Sequence, residues 1–160
     1  MIETLLPFFE WCEGTGLGQL VRTSLWLFPV IESVHLLGLS ALGGTVLLVD
    51  LRMLGTGLTR QSLSSVAAAV HPWLVASVAL LMLTGIPLFL SEAVKCFYNP
   101  SFWVKMATLP VALLYTFTVR RRVAMNPRRD TSSLTRLVAA VSLLLWFTVA
   151  AAGRWIGYSS

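Results

Sequence analysis

Charge is what this sequence has least of. Asp, Glu, Lys and Arg make up 12% of its 160 residues, against about 25% in an ordinary soluble domain. A surface that faces water on every side is thereby excluded. Histidine and cysteine are nearly as scarce, with two of each. No CxxC, CxxCH or HExxH occurs, so the usual signatures of paired-thiol, covalent-haem and zinc-hydrolase chemistry are missing. Nor is there a glycine-rich loop of the kind that cradles phosphate. The opening residues, MIETLLPFFEWCEGTG, have no basic stretch and carry Glu3, Glu10 and Glu13 instead, so no cleavable leader is expected. Neither end carries a lipidation motif.

What is present is oil. Apolar residues reach 56% and the mean hydropathy is +0.78, which predicts an integral membrane protein. A hydrocarbon core of ~30 Å needs about 20 helical residues to cross it. Four runs qualify, at about 25–49, 66–90, 102–119 and 134–152. The expected fold is therefore all-α: one membrane domain over residues 1–160, built as a four-helix bundle. Residues 1–24 read as a short interfacial segment, anchored by Leu5, Leu6, Phe8, Phe9 and Trp11 and broken by EGTGLG. In the first span Gly38, Ser40, Gly43 and Gly44 are expected to let another helix backbone come close. The start of the second span is open. Pro72 disfavours helix at His71, so the span either begins at Pro72 with His71 as its cap or runs back through it.

The formal net charge is +5. Its basic residues lie between apolar runs and are not interleaved with exposed aromatics, so no nucleic-acid partner is expected and the charge reports orientation instead. The loops read at 50–61 and 120–136 hold eight Lys or Arg, six of them in RRRVAMNPRRDTSSLTR, against four on the opposite side. Positive-inside bias then puts both termini outside and the arginine loops in the cytoplasm. Anionic membrane lipid is the expected contact of those loops.

Five residues stand out as candidates for a site. Glu32 and His35 lie three apart inside the first span, about 10 to 15 Å from its outer end at ~1.5 Å per residue. Ionisable groups facing lipid cost ~2.5 kcal/mol or more, so they turn inward and usually mark function. The competing reading is a carboxylate–imidazole pair that only holds helices in register. Lys105 lies one turn into the third span and Arg154 ends the fourth, both on the side of the termini, with Thr84 at comparable depth on the second. Lys105 could equally snorkel to the interface. His71 is either a cap or, if helical, a second histidine facing His35 across a metal site. Cys12 and Cys96 fall on the same side, where an oxidising compartment would permit a disulfide.

The strings SLWLFPVIESVHLLGLSALGGTVLLVDLRMLG, SEAVKCFYNPSFWVKM and AAGRWIGY resemble an uncharacterised bacterial family of small four-span membrane proteins, over residues from about Trp26 to Tyr158. That resemblance implies architecture and a bacterial inner (cytoplasmic) membrane location. A fainter similarity points to the copper-resistance D family and to the haem-binding bacterial protoporphyrinogen oxidase. The latter resemblance implies that His35 in VHLLG and Lys105 in FWVKM hold the places of its intramembrane histidine and lysine.

Three functions follow as expectations. The first is a haem b or related redox-cofactor site, with His35 as metal ligand, Glu32 fixing its tautomer, and Lys105 and Arg154 pairing the propionates. Its electrons would pass to a quinone or a redox partner protein. The second is a non-catalytic membrane subunit or assembly partner, for which a homo-oligomer is compatible. The third is a copper-handling module, weakened by two histidines at different depths and no thiolate pair in the membrane.

Overall fold

A computed structural model describes residues 3–126 and 132–158. Among the described residues there is no strand. A 3-10 turn, Glu3–Leu5, leads into two short helices, α1 (Leu6–Glu13) and α2 (Gly16–Thr23). Four long helices follow: α3 (Leu27–Leu54), α4 (Leu63–Ser91), α6 (Pro100–Ala124) and α7 (Ser133–Tyr158), with the short α5 (Ala93–Tyr98) between the middle two. Each long helix has 25 to 29 residues, about 38 Å or more at 1.5 Å per residue, which exceeds the hydrocarbon thickness. The protein is a multi-pass membrane protein. Its outer surface agrees: Leu37, Leu83, Leu144 and Phe147 are each 67 to 73% exposed, as lipid-facing side chains are.

The helix ends are built by local chemistry. Ser62 caps α4 by accepting from the Ser65 N–H at 3.2 Å, and Asn99 caps α6 by accepting from the Ser101 N–H at 2.9 Å, with Pro100 in the first turn. Gly55, at φ 79°, closes α3 with its N–H directed to the carbonyls of Arg52 and Leu51. The second span thus begins at Leu63 and passes through His71-Pro72 without a break. His71 is a mid-helix residue, not a cap. The local bias of a pre-proline residue is small beside the cost of leaving backbone groups unpaired in lipid.

Helix α3 packs along α4 and α7, and α7 along α6. The middle of the bundle is filled by Leu42, Val46, Leu74, Ala112, Trp146 and Val149. Gly38 does seat a neighbour: a Cβ there would meet the Leu80 side chain at 3.2 Å. Gly43 and Gly44 do not, for a Cβ added at either would meet nothing within 4 Å. Among the glycines of α3, close helix approach is therefore confined to Gly38.

The N-terminal segment is more than an anchor. α1 and α2 form a hairpin seated on one end of the bundle, here the cap end. Phe9 and Cys12 enter a cluster with Ala93, Cys96, Phe97 and Phe102. Glu13 holds three elements together, ion-paired to Arg22 of α2 and accepting from the Val94 N–H of α5 at 2.8 Å. Thr15, as N-cap of α2, accepts from the Gly18 N–H. At Gly18 the hairpin presses on α4, and an added Cβ would stand 2.6 Å from the Leu90 carbonyl oxygen.

At the opposite, arginine end, three residues read as loop are helical and buried. Asp50 and Arg52 lie in the last turns of α3, 0% and 6% exposed. Arg120 is the last residue of a π turn, Thr116–Arg120, within α6 and is 4% exposed. The apolar run ends at the charges, but the helices do not, because the charges find partners inside the bundle. Arg128 and Arg129 of the arginine loop lie outside the described residues.

Candidate functional site

His35 sits one-third of the way along α3 with its ring against α4. Its Nδ1 lies 2.8 Å from Thr84 Oγ1. The Thr84 hydroxyl has one proton, and it donates that proton to the Leu80 carbonyl at 2.7 Å. With the proton so placed, Nδ1–H donates to Thr84 Oγ1 and the Nε2 lone pair is available; with the hydroxyl proton turned to the ring, Nδ1 accepts and Nε2 carries the proton. Gly85, next along α4, makes the space: a Cβ there would meet His35 Cε1 at 3.3 Å.

Lys105 enters from α6 in the same way. Its stem lies along α7 at Gly153, where a Cβ would stand 3.8 Å from Nζ. The ammonium is half-buried and close enough for its charge to act on His35 and on Cys96. Among the described residues no hydrogen bond or ion pair satisfies it. The fold therefore brings together His35, Thr84 and Lys105 at the cap end of the bundle, with Gly85 and Gly153 as their seats.

The other candidates stand elsewhere. Glu32 is exposed and makes no hydrogen bond to His35; three residues at 100° each leave the two side chains about 60° apart around the helix. Thr84, not Glu32, is what orients the imidazole. Arg154 is exposed and bound to its own helix, donating from Nη2 to Tyr158 Oη at 2.7 Å and lying over that ring at 4.6 Å. His71 is half-buried against Phe117, with ring centroids 6.3 Å apart. Thirteen residues along α4 separate it from Thr84, about 20 Å at 1.5 Å per residue, so His71 and His35 do not share a metal. Among the described residues no three of His, Cys, Asp or Glu come together to hold one.

The two cysteines are free and buried in one aromatic cluster just above Lys105. Phe9, Phe89, Phe97, Phe102 and Trp103 surround them, with Phe89 and Phe102 stacked at 5.6 Å. Burial pushes the Cys96 thiol up to about 11; the Glu92 charge adds to this and Lys105 opposes it. Cys12 is raised by burial as well. Both are inert thiols in this state.

A second polar cluster escapes any reading of the sequence by apolar runs. Asp50 accepts from Arg120 Nε at 2.5 Å and from Ser142 Oγ at 2.6 Å, and Arg120 Nη2 donates to the Val46 carbonyl at 3.0 Å. Trp146 Nε1 donates to Thr116 Oγ1 at 2.9 Å beside it. Helices α3, α6 and α7 are thereby joined at the arginine end. The available signal was an acid closing an apolar run, with a serine, Ser142, inside another.

One more feature lies between the two clusters. An open apolar groove of about 610 Å³ runs between α3 and α7, lined by Leu39, Gly43 and Leu47 on one wall and Leu143, Phe147 and Ala150 on the other. The open face at Gly43 is part of it.

Residues 8–159 match the family described as "Family of unknown function (DUF6644)". No curated protein and no solved structure matches the chain. The fainter likenesses to copper-resistance D proteins and to the haem oxidase thus rest only on the residues quoted for them.

Proposed function

We propose that this chain, which belongs to that family of unknown function, is a membrane-embedded cofactor-binding bundle whose cofactor is a b-type haem. His35 Nε2 would hold its iron and Lys105 would pair with a propionate. The observation that carries the reading is the His35–Thr84 hydrogen bond, which holds the ring and, in the Nδ1–H tautomer, presents an unused Nε2 lone pair. Metal-bound histidines characteristically donate their other N–H in this way. The half-buried Lys105, with no counter-ion among the described residues, supplies the charge that an anionic edge of the cofactor needs. In donor chemistry the residues fit. Bound there, haem would supply one-electron transfer. The chain would orient the ring nitrogen through Thr84, neutralise the propionate through Lys105, and exclude water with the aromatic cluster above. Glu32 and Arg154 take no part in this arrangement. The bacterial inner membrane, with the arginine end toward the cytoplasm, is the location that the arginine distribution favours.

Protein purified from a haem-replete host should show a Soret band that is lost in His35→Ala and shifted in Thr84→Val. Absence of any Soret band, or a band indifferent to His35→Ala, overturns the proposal. One observation favours a second reading, in which the cluster only specifies packing: Gly85 and Gly153 are already filled by the imidazole and the lysine stem. On that reading His35→Ala lowers stability while no bound species is lost.

A further inference from the structure

The chain has two cysteines, and the fold brings both into one cluster with Phe9, Phe97 and Phe102. They come from separate elements, Cys12 from α1 and Cys96 from α5, and α1 packs against α5. Two contacts fix how these short helices meet. The rings of Phe9 and Phe97 stand 5.2 Å apart, and the Glu13 carboxylate accepts from the Val94 N–H at 2.8 Å. Residue number falls on α5 as it rises on α1, so the two helices run antiparallel. Five residues lie between the contacts: Glu10, Trp11 and Cys12 on α1, Lys95 and Cys96 on α5. Of these only Cys12 and Cys96 are buried, 3% and 8% exposed. Both thiols are thus enclosed in one interface, bracketed by the same pair of contacts.

Such an interface suits a covalent bond. Helix axes packed at ~8–10 Å, with Cα atoms ~2.3 Å from each axis, bring directly opposed Cα atoms to about 3–5 Å and staggered ones a little further. A disulfide spans ~4.4–6.8 Å between Cα atoms. The hairpin also has little else to hold it. α1 and α2 have eight residues each, too few for a helix to persist by itself, and Trp11 on the outer face of α1 is 67% exposed. A single buried cysteine is ordinarily a small apolar filler. Two that meet across one interface, with no third in the chain, form a cross-link site.

We infer that Cys12 and Cys96 are disulfide partners, that their bond fastens the N-terminal hairpin to α5 above Lys105, and that the structure shows the reduced form. The oxidant is an external disulfide. One cysteine thiolate attacks it and releases a thiol; the second cysteine then attacks the mixed disulfide and releases the other. One S–S bond forms and one breaks, and two electrons and two protons pass to the external disulfide, which leaves as two thiols. Both sulfurs are enclosed once the hairpin is seated, so exchange takes place before seating or as the hairpin opens. The pairing is independent of the haem reading. Its formation in the cell rests on the outward cap end that the arginine distribution favours.

Two samples separate these points. In the first, purified protein is reduced, freed of reductant, warmed with oxidised glutathione, then acid-quenched, denatured and alkylated. Expected is a monomer ~2 Da lighter than the reduced chain, with neither cysteine alkylated until it is reduced again and with a peptide joining Cys12 to Cys96. Glutathione left on either cysteine, a disulfide-bridged dimer, or two free thiols overturns the pairing. The bond should raise the Tm by at least ~5 °C over that of the reduced protein, a difference absent in Cys12→Ala and Cys96→Ala; equal Tm values for oxidised and reduced wild type overturn the fastening. The mass is read on the wild-type chain, so it stands even where a variant fails to fold. The second sample is membranes from a bacterial host, acid-quenched before alkylation. Cysteines paired there support the outward cap end. Cysteines free there, in a protein that pairs when purified, overturn that placement and uphold the partners.

Discussion

Changing Asp50 to Asn tests whether the arginine end is held by charge. The side chain of Asp50 is fully buried and that of Arg120 is 5% exposed. Asn keeps the shape and can still accept from Ser142, but it leaves the guanidinium without a counter-ion. Removing one partner of a buried pair costs about 3–5 kcal/mol, since the other charge stays desolvated. In helical membrane proteins single polar couplings are smaller, ~0.6 and at most ~1.7 kcal/mol, because the unfolded chain in lipid also finds partners. The stranded charge, not the lost bond, sets the scale, so we expect Asp50→Asn to cost about 3 kcal/mol, the low end of the range. At ~1.4 kcal/mol per tenfold this is roughly a 150-fold shift in the folding equilibrium. Arg120→Gln added to Asp50→Asn removes the stranded charge and should restore at least ~1 kcal/mol. Ser142→Ala alone should cost about 1 kcal/mol. The assay is equilibrium unfolding in mixed micelles, followed by helical circular dichroism. Asp50→Asn within ~0.5 kcal/mol of wild type, the range of an unremarkable surface change, would refute the reasoning, as would a double variant that simply adds the two losses.

Other outcomes follow from the cap end. Gly18→Ala places a methyl against the Leu90 carbonyl and should lower stability by about 1–3 kcal/mol, whereas Gly16→Ala, with nothing within 4 Å, should be neutral; the pair of Tm values checks this. Cys96, its thiol pushed up to about 11, should react with maleimide far more slowly at pH 8 than an exposed thiol, the rate rising about tenfold per pH unit toward that value. The neutral thiol is the form the fold favours, so its contribution to stability is complete below the ordinary thiol value of 9.0, and lost as pH rises through about 11; fast labelling at pH 8 in intact protein would contradict the burial. Thr84→Val leaves His35 Nδ1 without its hydrogen-bond partner and should cost about 1–3 kcal/mol, and less when His35→Ala is already present; unfolding of the two single variants and the double variant measures it.

The four spans were legible because hydropathy needs no tertiary information: a run of twenty apolar residues crosses lipid wherever it sits. Their ends were not, because a charge terminates an apolar run without terminating a helix. Asp50 and Arg120 were read as loop for that reason, and only their mutual contact shows otherwise. The spacing of Glu32 and His35 put them near one another on the helix surface. It could not show that 60° of rotation separates a half-buried residue from an exposed one. Thr84 stood at the right depth in the sequence, but its role depends on which carbonyl takes its proton. Gly85 and Gly153 gave no signal, since a glycine that receives a side chain looks like any other small residue in a span.

The π turn at Thr116–Arg120 works as a phase adjuster. A regular helix would tie the azimuth of Arg120 to that of Lys105 at 100° per residue; one surplus residue breaks that tie, and each end of the rod can be aimed at its own target. Shortening the segment by a single residue should swing the guanidinium away from Asp50 while the lysine end keeps its seat, so a deletion here would unfasten one polar cluster and spare the other.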